Sequence, residues 1–481
     1  MAKGLVIAGT HSGCGKTTVT LGILAALKKK GLRVQSFKAG PDFIDSGLHR
    51  LITGRHSRNL DLWMCGEDYV SDCFYRHSMD ADISVVEGVM GLYDGEFSTA
   101  RLSSVLNLPV ILVVDAYGMA ESAGAVVKGF VKYSDQIQVT SNELKNKKYS
   151  EDSSLVTCHL SLNWLGVIFN RVASEKHYKR LKDSVHNISV FGYLPRELDF
   201  EIPHRHLGLT VAEENPITVE NIEKLADTVL KYIDVETIIQ KTGDRAQKTD
   251  KGENSLSSVF CARSPEVKIA VACDRTFCFY YEDNLDLLKD AGAGIITFSL
   301  ISDTKIPDNV DALYIGGGYP ELYAKELSEN ASMLKSISDW ANSWKPIYAE
   351  CGGLMYLSRG IYDFEGNFHR MAQVFPFETV MKKDKVNLGY REIRLLTDSI
   401  LGIQGDVLRG HEFHYSEITD RAQNTEHRTQ TKKIYSMKDN KNYNLYNEGY
   451  RFKNTLASYV HVHFGSNLNI AKNFVNFLRE A

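Results

Sequence analysis

Residues 8–18 read AGTHSGCGKTT, between an apolar run at Leu5–Ala8 and the helix-like VTLGILAALKKKG. A strand that turns through glycines into a helix beginning G-K-T-T constrains the fold more than any other stretch of this chain. Glycines let the backbone curl so that its N–H groups point inward, and the helix N-terminus adds partial positive charge. Gly13, Gly15, Lys16, Thr17 and Thr18 are therefore the expected nucleotide-binding residues. Lys16 would reach the outer phosphates of ATP, and Thr17 would offer its hydroxyl to Mg²⁺. The strict G-x-x-x-x-G-K-[ST] spelling places glycine where this chain has Thr10; Gly9 stands one position earlier. The alternative, a glycine turn that merely connects strand to helix, does not explain G-K-T-T at this place.

The same grammar continues downstream. Val34–Phe37, Ile83–Val86, Val110–Val114 and Leu165–Phe169 are short runs of Val, Ile and Leu without alternation, which suits strands covered on both faces. Amphipathic stretches such as Thr18–Lys30 and Met119–Lys132 lie between them, so the expectation is a doubly wound parallel sheet. Residues 241–266 are polar and aperiodic and read as a linker between two domains, 1–240 and 267–481. A second α/β series starts at VKIAVACD and continues through DALYIGGG and KPIYAECGG. Two further polar stretches, 136–160 and 420–446, read as surface insertions. A chain of 481 residues is long enough for two cores.

Composition narrows the function class. A formal net charge of −4 gives no reason to expect nucleic acid as a partner. No run of 18 apolar residues suggests a membrane span, and the N-terminus lacks the pattern of a secretory signal, so a cytoplasmic location is expected. The eight cysteines include no C-x-x-C pair and fit reduced thiols rather than a disulfide framework or a zinc site.

Carboxylates stand where a metal bound to phosphates needs them. FKAGPDFID supplies Asp42 and Asp45 just after a strand, and SVVEGVMGLYDG supplies Glu87 at a strand end and Asp94 in a glycine-rich loop. The carboxyl ends of parallel strands are where such sheets bind ligands. Asp42 and Glu87, with Thr17, are the expected Mg²⁺ ligands; Asp45 and Asp94 are the expected substrate-facing acids.

AGTHSGCGKTT, FKAGPDFID, GRHSRNLDLWM, VEGVMGLYDG and VVDAYGMAESA together resemble the amino-terminal half of cobyrinate a,c-diamide synthases, a half that is similar to dethiobiotin synthetase. The resemblance extends into the second half of the chain and covers most of it outside the polar insertions. It implies a P-loop parallel sheet followed by a class I glutamine amidotransferase-like α/β domain. It also implies a reaction: ATP phosphorylates a peripheral acetate of a corrin-type macrocycle, and ammonia from glutamine attacks the acyl phosphate. The implied partners are the tetrapyrrole substrate and glutamine, with neither nucleic acid nor membrane, and a homodimer is compatible with this. Nickel-sirohydrochlorin a,c-diamide synthases share these motifs. Cobyric acid synthases differ in the loop and in a C-terminal Y-L-H-G pattern. Partition and septum-site ATPases carry a lysine early in the loop, where this chain has His11.

KPIYAECGGLMYL places Cys351 where an apolar strand turns sharply into a helix, the geometry of a nucleophile elbow with sulfur for oxygen. The helix N-terminus is expected to lower the thiol pKa and the turn to expose the sulfur. Near the C-terminus, ASYVHVHFGSN offers two histidines. The Y-x-H pattern of corrinoid amidotransferases matches Tyr459-Val460-His461, which makes His461 the first choice of base and His463 the second. The H-x-E glutamate of other class I enzymes is absent, so a Cys–His pair without a third member is expected. In YIGGGYPE, Gly317 and Gly318 are placed to offer an oxyanion hole. His411 and His414 receive no catalytic role.

Overall fold

The computed structural model describes residues 3–134, 138–140, 157–159, 162–198, 217–246, 265–384, 386–419 and 431–480. The chain divides into two compact units, Met1–Ser255 and Leu256–Ala481. The division falls inside the expected linker. The helix Val235–Ala246 runs into that segment, and residues 247–264 lie outside the described ones.

The first unit is built on a seven-stranded sheet. Its spatial order is Arg58–Leu60, Val34–Ala39, Ile83–Glu87, Gly4–Gly9, Val110–Asp115, Trp164–Val172 and Val190–Pro195, and every pairing is parallel. Why the strands lack alternation is visible in the packing. Leu5, Ile7, Ile111 and Val113 belong to one core with the helix Lys16–Lys29, while Val6, Ala8, Leu112 and Val114 belong to another on the opposite face. A strand with a core on each side has no solvent face on which to place polar residues. The first and fourth strands of the chain, Gly4–Gly9 and Ile83–Glu87, lie side by side, with Ile7 opposite Glu87 and Glu87 opposite Lys38 on its other flank. The carboxyl ends of these strands form the crevice where the phosphate loop sits.

The second unit carries a ten-stranded mixed sheet in the order Ala293–Phe298, Val267–Ala272, Ala312–Ile315, Ile347–Glu350, Thr455–Ser458, Asn444–Phe452, Lys432–Lys438, Asn387–Leu395, Val407–His414 and His461–Val462. The first five strands run parallel, and the pairings beyond them are antiparallel. The expected insertion 420–446 is therefore corrected: from Lys432 onward it is a hairpin of this sheet, the strand Lys432–Lys438 turning into Asn444–Phe452. Ile434, Tyr435 and Met437 are buried there, while Lys432, Lys433 and Lys438 face solvent and conceal the pattern. Residues 420–430 lie outside the described ones. Of the stretch 136–160, the strands Gln138–Thr140 and Thr157–His159 pair antiparallel, and the remainder lies outside the described residues.

Among the described residues no helix is long and apolar enough to cross a membrane. The described thiols, including Cys14, Cys273 and Cys351, form no disulfide.

Candidate active site

The phosphate loop joins Gly4–Gly9 to the helix Lys16–Lys29. Gly13 and Gly15 have φ of 82° and 92°, a region glycine enters without a Cβ penalty. A Cβ at Gly15 would also come 1.9 Å from Asn170 Nδ2, which donates to the Cys14 carbonyl at 3.1 Å. Gly9 has its own reason: a Cβ there would lie 2.3 Å from Cys14 Sγ. The early glycine thus lets the loop fold back on the strand that launches it. Thr18 is half-buried at the helix start.

Four elements bring charged groups to this loop. Thr17 Oγ1 donates to Glu87 Oε1 at 2.7 Å and stands 3.5 Å from Asp45 Oδ2. Lys38 Nζ lies 2.7 Å from Asp45 Oδ2 and 3.0 Å from Glu87 Oε1. Glu87 is wholly buried, and its second oxygen, Oε2, faces His49 Nε2 at 2.7 Å. His49 Nδ1 in turn meets Ser57 Oγ at 3.2 Å. Burial works against the charge on Lys38, but Glu87 and Asp45 hold its pKa above the ordinary lysine value. Burial lowers the pKa of Lys16, whose Nζ donates to the His11 carbonyl at 3.3 Å.

The acids fall differently from the expectation. Asp42 is the N-cap of the helix Phe43–Thr53, its Oδ1 accepting from Ile44 N at 3.1 Å and Asp45 N at 3.0 Å. Asp45, expected to face substrate, is instead the acid grouped with Thr17, Glu87 and Lys38. One turn of helix separates the capping position from the buried face, and the spelling PDFID does not say which aspartate takes which. Asp94 Oδ2 accepts from Gly91 N at 2.7 Å and closes its own loop. That loop is tied to the first strand through Leu92 N, which donates to the Gly9 carbonyl at 2.8 Å.

Lys38, His49 and Asn170 were not singled out by the motifs. A lysine inside the buried strand VQSFKA was the available signal for Lys38. His49 stands four residues after Asp45, on the same helical face.

In the second unit Cys351 sits between the strand Ile347–Glu350 and the short helix Gly352–Leu357, at φ 48° and ψ −101°. That strained conformation is held by packing. Cys351 N donates to the Ser458 carbonyl at 2.7 Å, a Cβ on Gly353 would reach within 2.3 Å of the Ile315 carbonyl, and one on Gly352 within 3.1 Å of Gly318 N. The two glycines after the thiol let the helix start press against Ile315–Gly318, of which Gly317–Gly318 is a short strand paired with Phe277–Phe279.

Glu350 pairs with Ser458 in register, so the next residues of that chain segment, Tyr459 to His461, arrive beside the elbow. A Cβ on Gly317 would lie 2.3 Å from His461 Cε1. The His461 ring stacks on His411, centroids 4.9 Å apart, across a strand pairing in which the two are opposite each other. His463 is occupied elsewhere: its Nδ1 accepts from Gly465 N at 3.1 Å and caps a turn of 3₁₀ helix, which removes the reason for holding it as second choice of base.

One electrostatic expectation is reversed. Cys351 is 5% exposed, and burial, followed by the negative charge of Glu321, raises its thiol above the ordinary cysteine value. The helix behind it has only six residues and offsets little of that rise. Burial also pushes His461 down to about 3. In both residues burial favours the uncharged form.

A phosphate-loop parallel sheet followed by an α/β unit with a thiol at a strand-to-helix elbow defines a two-part class: a nucleotide-binding domain joined to a glutamine amidotransferase. Comparison with known proteins agrees. Residues 5–209 match the CobQ/CobB/MinD/ParA nucleotide binding domain, and residues 268–468 match the CobB/CobQ-like glutamine amidotransferase domain. The chain is 40% identical over 484 residues to a cobyrinate a,c-diamide synthase of Caldanaerobacter subterraneus subsp. tengcongensis, covering 99% of this chain and 98% of that one. It is 41% identical over 492 residues to the enzyme of the same name from Syntrophotalea carbinolica, with the same coverage. The chain belongs to the cobyrinate a,c-diamide synthase family, and it is a glutamine-dependent ligase.

Proposed function

We propose that the chain converts the a and c acetate carboxylates of cobyrinate to amides, using ATP to activate each carboxylate and glutamine to supply nitrogen. Residues 1–240 carry the ATP-dependent half, 267–481 the glutamine-dependent half, and 241–266 join them. The reading is supported by two chemically distinct groups of residues, one in each unit: Lys16, Thr17, Lys38, Asp45 and Glu87 at the phosphate loop of the first, and in the second the elbow thiol of Cys351, whose strand pairs with the segment that leads to His461.

In the first, a carboxylate oxygen of the substrate attacks the γ-phosphorus of ATP, the bond to the β-bridging oxygen breaks, and ADP leaves. Ammonia then attacks the carbonyl carbon of the acyl phosphate, loses a proton, and inorganic phosphate leaves with the former carboxylate oxygen. Lys16 and Lys38 offset charge on the transferring phosphoryl group. The Thr17 hydroxyl with the Asp45 and Glu87 carboxylates is a hard oxygen donor set that fits Mg²⁺, which supplies further charge neutralisation when bound. His49 holds Glu87 in the rotation that turns Oε1 toward Thr17.

In the second, His461 takes the thiol proton as Cys351 sulfur attacks the carboxamide carbon of glutamine. The backbone N–H groups of Gly317 and Gly318 accommodate the oxyanion. The imidazolium returns the proton to the departing ammonia, and water releases glutamate from the thioester.

The relatives named above favour the corrin over a nickel tetrapyrrole. Purified enzyme given ATP, Mg²⁺ and glutamine should convert two carboxyls of cobyrinate to amides by mass spectrometry, with kcat/KM at least about 100-fold above that for nickel-sirohydrochlorin. Preference for nickel-sirohydrochlorin would move the assignment to the nickel macrocycle.

A further inference from the structure

We propose that Glu350, the residue immediately before the nucleophile, is the positioning carboxylate of His461, doing from the elbow what a glutamate two residues after the histidine does in an H-x-E site. This rests on the assignment of His461 as base.

The geometry is specific. Glu350 ends the strand that launches the elbow and is buried. Its Oε1 accepts from Tyr348 OH at 2.6 Å and from Val462 N at 3.0 Å. Its Oε2 accepts from Tyr314 OH at 2.9 Å and stands 4.0 Å from His461 Nδ1. Val462 N–H can only donate and the two tyrosine hydroxyls are placed to donate as well, which favours the ionised carboxylate against its burial. A carboxylate oxygen has two lone-pair sites, and the one at Oε2 not used by Tyr314 remains for Nδ1–H. Catalytic hydrogen bonds are commonly long before substrate arrives, and closing 4.0 Å to bonding distance needs about 1 Å of motion. The Val462 bond ties the backbone beside His461 to the same carboxylate, so Glu350 fixes both the strand and the ring it carries.

The consequence is a tautomer. With Nδ1–H directed at Glu350, Nε2 is left as the acceptor for the thiol proton, and the imidazolium formed during attack faces a negative charge. Burial raises the Glu350 carboxyl to about 7, and the hydrogen bonds from Tyr348, Val462 and Tyr314 oppose that rise. A glutamine at 350 would keep acceptors for Tyr348 and Val462 but turn an NH₂ group toward Nδ1. That favours the Nε2–H form, in which the catalytic nitrogen has no lone pair to offer.

The test is glutamate release from glutamine by the full chain. Glu350→Gln should lower kcat about 100-fold with KM for glutamine little changed. His461→Ala, measured beside it, should lose hydrolysis altogether. A near-normal kcat in Glu350→Gln with a dead His461→Ala overturns the role of Glu350 and leaves the base in place. Active hydrolysis in His461→Ala overturns the base assignment itself. Should Glu350→Gln fail to fold, ¹⁵N-histidine NMR of the unmodified protein decides: the Nδ1–H form of His461 is expected, and the Nε2–H form refutes the proposal.

Discussion

Cys351→Ala is expected to reduce glutamine-dependent amide formation by about 10⁴-fold or more, because no other group at the elbow can form the thioester. Ammonium at high concentration should restore product at a rate close to that of the unmodified enzyme. The thiol belongs to the second unit, and the proposed carboxylate activation uses side chains of the first. The substitution removes only the sulfur and keeps Cβ, so the strained turn at φ 48° is retained. Product should be measured with both nitrogen donors at saturating ATP. Persistent use of glutamine would show that Cys351 is not the nucleophile. Failure with ammonium in a folded protein would show that the two chemistries are not separable.

Lys16→Ala is expected to have the complementary effect. Amide formation should fall by about 10³-fold with either donor, since the charge that meets the transferring phosphoryl is lost. Glutamine hydrolysis should continue, because none of the groups around Cys351 changes. ADP release and glutamate release, followed in one reaction, separate the two outcomes. Full synthesis in this variant would contradict the phosphate-loop assignment. Glu87 is the natural comparison: it contacts Thr17, Lys38 and His49 at once, so its loss would disturb several partners and read less cleanly.

What the sequence conveyed depended on how local each feature is. The phosphate loop and the elbow are written in consecutive residues, and both stand where the motifs put them. The parallel sheet was legible from apolar runs that serve cores on two faces. Lys38, His49 and Glu87 come from a strand, a helix and another strand, and only the register that sets Lys38 opposite Glu87 brings them together. Asp42 and Asp45 lie within one turn, and capping versus clustering is decided by helix phase. The strand Lys432–Lys438 was hidden because its solvent face is lysine-rich while Ile434, Tyr435 and Met437 point inward. The rise in the Cys351 thiol pKa depends on what packs over the sulfur, including the Phe413 carbonyl 3.9 Å away, and no motif records that. Glu350 was in plain view as the residue before the cysteine, but its proximity to His461 is created by the pairing of the elbow strand with Thr455–Ser458.

The central claim is that phosphate here activates a carboxylate. The most direct measurement uses cobyrinate with its acetate carboxyls labelled with ¹⁸O, unlabelled ATP, and ammonium as donor. An acyl phosphate hands one carboxylate oxygen to phosphorus, so each amide formed should be matched by one inorganic phosphate carrying a single ¹⁸O, read by mass spectrometry or by the ³¹P isotope shift. Amide formation accompanied by phosphate free of ¹⁸O would contradict the account.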